Sequence, residues 1–425
     1  MTAGQPGCCD AAFYHRWVMT AIWQKDIGSC LFPTCDNLTR IVRRPREPAC
    51  VLSIEDRTLA GRAASACRRP SHFSRFSGFL DDVSYRAVAR FSLSVPPPVP
   101  RSPCREPAVR GRVRTMRIDS LWIGQVALAA LMDATFAMAV GSALLKGWLG
   151  RDGARPVVAP AHPAWVRAQH SLVAAALALV LADLGWLVYE AASMSGAGLG
   201  GAFAAMPTVL AQTHAGFAWS VAFGGAVVLA IVALLKPDGT VAHALLWLAV
   251  IVIAAGKASL GHAADVGALS AAVGVQTVHL LATAVWGGVV LAGGLAVLPM
   301  LGSSVARGAL IRIGQQMSRT SVVAVVFVLG TGVLNAVRGL GGSLAPLDGS
   351  TWGRVLLLKL LLVALALVLG GLNRFSALPR LRRTASTEDA HTFRNILHLE
   401  ALTMIGVFVA AAVLSFSVPG FAALG

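Results

Sequence analysis

Three histidines carry the chemistry open to this sequence. His262 lies in Gly261-His262-Ala263, where one apolar run ends. His279 lies just inside the next run, in His279-Leu-Leu-Ala-Thr-Ala-Val-Trp286-Gly287-Gly288, and His214 stands near the start of an earlier one. Imidazole nitrogens are among the commonest metal ligands. Ionisable groups in apolar surroundings are costly, so their presence there marks functional positions. Taken singly, an intramembrane histidine serves equally well as a hydrogen-bonded link between helices, worth roughly 0.6–2 kcal/mol, and a loop histidine such as His262 can simply be solvated. Whether the three act together depends on the elements that carry them.

Those elements are apolar helices. The chain of 425 residues is 56% hydrophobic and only 13% charged, far from the balance of a soluble domain. Its long Ala, Leu, Val and Gly runs lack the period-2 alternation of a membrane barrel. They predict an all-α membrane protein, a bundle of about eight transmembrane helices at approximately 121–145, 168–192, 206–235, 241–256, 272–299, 321–339, 353–372 and 399–418. Residues 1–115 read differently. They are basic, with eighteen Lys or Arg against nine Asp or Glu, and contain Pro96-Pro97-Pro98-Val99-Pro100 and all seven cysteines. The expectation for them is a disordered extension preceding a membrane domain at 116–425, with Met116 as the natural start. The cysteine spacings form no zinc or disulfide framework, and soft-metal chemistry in the membrane part must use His, Met or carboxylate. The net charge of +16 does not imply nucleic acid, because in the apolar part the basic residues cluster between helices. The chain has no P-loop, so no nucleotide is expected.

Basic residues orient the spans. Connections after the odd-numbered spans hold thirteen Lys or Arg: Lys146, Arg151, Arg155, Arg167, Lys236, Arg307, Arg312, Arg319, Arg374, Arg380, Arg382, Arg383 and Arg394. The opposite connections hold Lys257, Arg338 and Arg354. Both ends of the membrane domain are therefore expected outside. With the third span entered at Met206-Pro207, His214 falls two turns deep, His279 at the same depth and His262 at the outer mouth. Gln276, His279, Thr283 and Trp286 share one helical face, as do Thr331, Asn335 and Arg338, and Asp183, Glu190 and Met194. Such stripes predict a polar interior lining. Asp183 and Glu190 read as interior salt-bridge or hydration partners, and Trp286 as packing or an interfacial anchor. Lys257 opposes a cation at His262, with Asp265 as its candidate counter-charge. Lys359 and Glu400 read as a structural pair toward the inner side, beside Asn373.

These blocks together resemble a known family. Gly261-His262-Ala263, His279 through Gly288, Thr331-Gly332-Val-Leu-Asn335-Ala, Gly353-Arg-Val-Leu-Leu-Leu-Lys359 through Gly371-Leu-Asn373-Arg374, and Glu400 are similar, over about residues 200–420, to the copper-resistance protein D (CopD/PcoD) family of bacterial inner membranes. The resemblance implies a non-enzymatic eight-helix inner-membrane protein that handles copper ion of unspecified valence with a CopC-like periplasmic partner, and the outer side expected from the basic residues is then the periplasm. His262 and His279 are the copper-ligand positions it implies; His214 is added on orientation and depth alone. Two other readings stay open: a b-type haem electron-transfer protein using His214 and His279 as a facing pair, and an assembly subunit without a ligand.

Overall fold

The computed structural model describes residues 119–419 apart from 197, 238, 262, 265, 266, 268 and 269. The extension expected at 1–115, the start at Met116, His262 and Asp265 lie outside the described residues. All regular structure among those described is helical. Helix α1 spans Ser120–Arg151, α2 His162–Ser195, α3 Gly198–Gln212, α4 His214–Leu235 and α5 Thr240–Leu260. Then come α6 Ala271–Leu291, α7 Arg307–Leu340, α8 Thr351–Leu372, α9 Leu378–Thr384 and α10 Thr387–Ser415. Helix α6 runs on through a π turn at Ala292–Val297 and a 3-10 turn at Leu298–Leu301. Helix α8 passes through a second π turn, Asn373–Ala377, into α9. With α8 and α9 taken as one, eight helices among the described residues are long and apolar enough to cross a membrane. The protein is a multi-pass helical bundle.

Local chemistry sets the boundaries. The Asp119 carboxylate accepts from Trp122 N at 2.8 Å and starts α1, and Pro163 sits in the first turn of α2, where its missing N–H costs nothing. One boundary corrects the sequence reading. The run expected at 206–235 is two helices broken at Thr213, and Pro207 lies inside α3 rather than at a helix start. The Thr213 hydroxyl explains the break. It donates to Val209 O at 2.7 Å and accepts from Gly216 N at 2.9 Å, closing α3 and capping α4 with one group. A Cβ on Gly216 would lie 2.1 Å from Val209 O, so only glycine allows so tight a corner.

Helix α6 is the axis of the bundle. It packs on α1, α5, α7 and α10, and 72% of its most apolar window is buried, against 11% for α7 and 17% for α8. Such depth requires small residues, since packing rather than hydrophobicity drives helix association in lipid. A Cβ on Gly288 would lie 2.1 Å from Ala137 O, and one on Gly141 1.9 Å from Gly288 O. The backbones of α1 and α6 therefore touch directly. Helices α7 and α8 lie at the rim, α7 against α6 and α8 against α10. They turn Val323, Val326, Val333, Leu361 and Val368 outward, a surface suited to acyl chains.

The face carrying most of the arginines is tied together by polar links. Arg312 Nε donates to both Asp152 carboxylate oxygens at 2.7 and 2.9 Å. Arg307 reaches the Thr387 hydroxyl at 3.2 Å, and Arg374 the Ser318 hydroxyl at 2.7 Å. Residues assigned to one side by alternation of the spans do meet there.

The α1–α6 crossing yields a stability prediction. Gly288→Val should lower the thermal midpoint of the purified protein in detergent, at an overpacking cost of about 1–3 kcal/mol or more. Gly224→Ala should leave it unchanged, because the space beside Gly224 is open.

Candidate functional site

His279 lies eight residues into α6 from Ala271, about 12 Å down the helix. Its Nδ1 is 2.9 Å from Thr331 Oγ1 on α7. That hydroxyl already donates to Phe327 O at 2.5 Å, so toward His279 it can only accept. Nδ1 therefore carries the proton, and Nε2 keeps the lone pair that a metal ion uses. The Val328 carbonyl is a further acceptor within reach of the ring. Gly332 packs over the imidazole, where a Cβ would lie 3.4 Å from Cε1. Three residues toward the helix start, Asn335 Nδ2 donates to Gln276 Oε1 at 2.8 Å. The stripe on α6 and the stripe on α7 thus face each other in two rungs. Arg338, at the end of the second stripe, is exposed.

Below His279 the polar groups continue. The Thr283 hydroxyl is buried without a hydrogen-bond partner. Trp286, only 2% exposed, is no interfacial anchor: its indole and the Asn373 carboxamide are the hydrogen-bonding neighbours of the buried Glu400 carboxylate. Asn373 also straddles the backbone of α10, its amide nitrogen toward Phe393 O at 3.2 Å and its oxygen accepting from Leu397 N at 3.3 Å. Polar side chains therefore step from Gln276 through His279 and Thr283 to Trp286, Glu400 and Asn373.

The charges of the bundle are arranged differently from the sequence reading. Lys257 does not depend on Asp265; its Nζ is 3.1 Å from Asp133 on α1, with the two side chains 9% and 19% exposed. Lys359 does not pair with Glu400. It stands eight residues from the start of α8 at Thr351, toward the same face as His279, and it lies within electrostatic reach of Asp133 and His279. Asp183 is 1% exposed, neither carboxylate oxygen has a hydrogen-bond partner, and the charge it faces is Lys257. Glu190 accepts from Gln125 Nε2 at 3.0 Å, while Met194, expected on their stripe, is exposed.

His214 is the first residue of α4 and is exposed, because the Thr213 break places it at the mouth and not two turns deep. Helix α5 packs on both α4 and α6 and stands between them, so His214 and His279 do not form the facing pair that haem ligation requires. Among the described residues no group of three or more His, Cys, Asp or Glu is poised to hold a metal ion. Sequence reasoning missed Asp133. It is the only carboxylate inside the first apolar run, and that alone marks it.

Comparison with protein families gives two matches. Residues 118–271 match the model of the copper resistance protein D-like N-terminal domain, and residues 311–414 match that of copper resistance protein D. The first extends the resemblance from about residue 200 back to the start of α1; His279 and Trp286 fall in the interval between the matches. No curated protein and no solved structure matches the chain significantly.

The ion pair gives a direct test. Lys257→Ala leaves Asp133 without its bonded counter-charge in a largely dry site and should destabilise the fold by about 3–5 kcal/mol. The double variant Lys257→Ala/Asp133→Ala should recover only part of that loss, because the buried Lys359 then lacks its carboxylate neighbour; the readout is the midpoint of a denaturant or thermal titration in detergent.

Proposed function

The chain belongs to the copper-resistance protein D family, and we propose that it carries copper ion across the bacterial inner membrane, contributing to copper homeostasis and resistance. The observation that carries this reading is His279. Its proton is held on Nδ1 by Thr331, its Nε2 is left as a ligand, and it stands at the head of a column of polar side chains. In this scheme both ends of the membrane domain face the periplasm, and a CopC-like protein is the donor. His262 and His214 take the ion at the mouth and His279 receives it within the bundle. Imidazole accepts copper in either common valence. The ion then passes Thr283 toward Glu400 on the way to the arginine-rich face, which the distribution of basic residues places in the cytoplasm. No covalent bond is made or broken, and the protein acts as a carrier and not as an enzyme.

The Lys359 ammonium, within electrostatic reach of His279, has a role in such a scheme. Conduction needs binding strong enough to admit the ion and weak enough to release it, and a neighbouring positive charge shortens the ion's stay.

His279→Ala together with His262→Ala should abolish copper-dependent cellular accumulation at unchanged membrane abundance; normal accumulation in that variant removes the histidine-capture reading. Thr331→Val keeps the side-chain volume but loses the acceptor for Nδ1–H, and should weaken copper binding by about 10- to 100-fold. Thr331→Ser should bind as the parent does. Equal affinities for all three proteins, measured by competition with a chelator, would show that the tautomer is not what matters.

A further inference from the structure

Asp183 is a buried charge-bearing group that the proposed copper path does not use. It lies twelve residues from the end of α2 at Ser195, about 18 Å along the helix, and Asp133 lies thirteen residues from the start of α1 at Ser120, about 20 Å. Two carboxylates thus flank one ammonium near the middle of the bundle. Lys257 is bonded to Asp133 at 3.1 Å and faces Asp183. Other elements packed on α2 offer Asp183 no alternative partner. Helix α3 has no ionisable residue. From α4, Trp219 Nε1 donates at 2.9 Å to the backbone oxygen of Asp183 and not to its carboxylate; His214 is at the far mouth. From α1, Asp133 is engaged by Lys257, and Glu190 on α2 itself is engaged by Gln125.

We infer that Asp183 binds and releases a proton in exchange for the Lys257 ammonium, and that Asp133 and Lys359 link this exchange to His279. With Lys257 on Asp133, Asp183 is a neutral acid that needs no counter-ion in apolar surroundings. When its O–H bond breaks and the proton leaves to water, the new carboxylate attracts Lys257, and Asp133 keeps Lys359. One proton moves, one ammonium shifts, and no electrons are transferred.

Charge alternates along the whole series: Asp183, Lys257, Asp133, Lys359, then His279. A cation on His279 repels Lys359 toward Asp133, which loosens Lys257 and favours the ionised form of Asp183. Cation uptake therefore expels a proton, and by linkage a proton on Asp183 expels the cation. The proton site rests on the burial of Asp183 without a hydrogen-bond partner, on the Lys257–Asp133 pair and on the electrostatic reach of Lys257 to Asp183; its link to His279 rests on the copper reading above.

Infrared difference spectra of the metal-free full chain in liposomes, taken between acidic and alkaline buffer, test the proton site. A protonated-carboxyl stretch should be present in the parent and lost in Asp183→Asn, a near-isosteric change; in Asp133→Asn, which frees Lys257 to pair with Asp183, the band should appear only in more acidic buffer than in the parent. A spectrum in which Asp183→Asn removes no such band overturns the proton site. Copper ion added to weakly buffered protein containing a pH-indicator dye tests the link. About one proton per bound ion should be released by the parent, and almost none by Asp183→Asn. Equal release from both refutes the link while leaving the site. Failure of the parent to bind copper refutes the copper reading, and the infrared band still decides the proton site.

Discussion

The backbone contact between α1 and α6 is the constraint on which the polar interior depends. Where Gly141 and Gly288 meet, no side chain separates the helices. In the alternating bundle the two helices run in the same direction, so positions equally far from the crossing share a level. Asp133 is eight residues before Gly141 and His279 nine before Gly288, each about 12–13 Å above the contact. The crossing therefore brings the carboxylate of α1 level with the imidazole of α6. Lys359 on α8, about 12 Å from its own helix start, lies within electrostatic reach of both. A larger residue at the crossing would push α6 outward and separate these groups without altering any of them.

Above and below that contact, the bilayer dictates how polar side chains are treated. Lipid offers no water to satisfy a donor or an acceptor, so most such groups here are matched across helices: Gln276 with Asn335, His279 with Thr331, Gln125 with Glu190, and Asn373 with the α10 backbone. Several groups depart from this pattern and are buried without a hydrogen bond, the Trp122 indole, the Ser142 hydroxyl and the Gln169 side-chain oxygen among them; two more, the Thr283 hydroxyl and the Asp183 carboxylate, bear on the proposals. One lies along the polar column and the other beside the ion pair. An unmatched group in dry surroundings costs free energy unless a mobile species visits it. That is the physical ground for placing an ion near Thr283 and a proton on Asp183.

The parts of this architecture that repeat along a helix were legible in the sequence. Eight apolar runs read as eight spans, and the spacing of Gln276 and His279 against Thr331 and Asn335 located two stripes that do face each other. What depends on a single side chain was not. Thr213 breaks a continuous apolar run by one hydroxyl with two bonds, which hydropathy cannot register, and the depth assigned to His214 failed with it. Partners also escaped. Lys257 was compared with its neighbour in sequence, Asp265, while its counter-charge lies on α1, 124 residues away. Lys359 was placed by the wrong end of its helix, because apolar residues continue for three turns on its far side. Pairing across a bundle depends on which faces meet, and the small residues that decide this are spread over every span.

The position of Lys359 would be a defect in a storage site and would be an asset in the proposed carrier. Two unit charges a few ångströms apart repel by several kcal/mol in a medium of low dielectric, and even at the effective dielectric near a protein surface by about 4 kcal/mol at 4 Å. A cation on His279 would feel repulsion of this kind if Lys359 stood alone. It does not, because Asp133 lies within its field. Asp133 in turn is shared with Lys257, so the compensation available to His279 varies with where Lys257 sits. In the proposed carrier, affinity at the imidazole would then depend on the state of an ion pair on two other helices as well as on the ligand itself. A lone histidine with its Nε2 free could hold copper; a histidine whose neighbouring charge can be neutralised or exposed can also let it go.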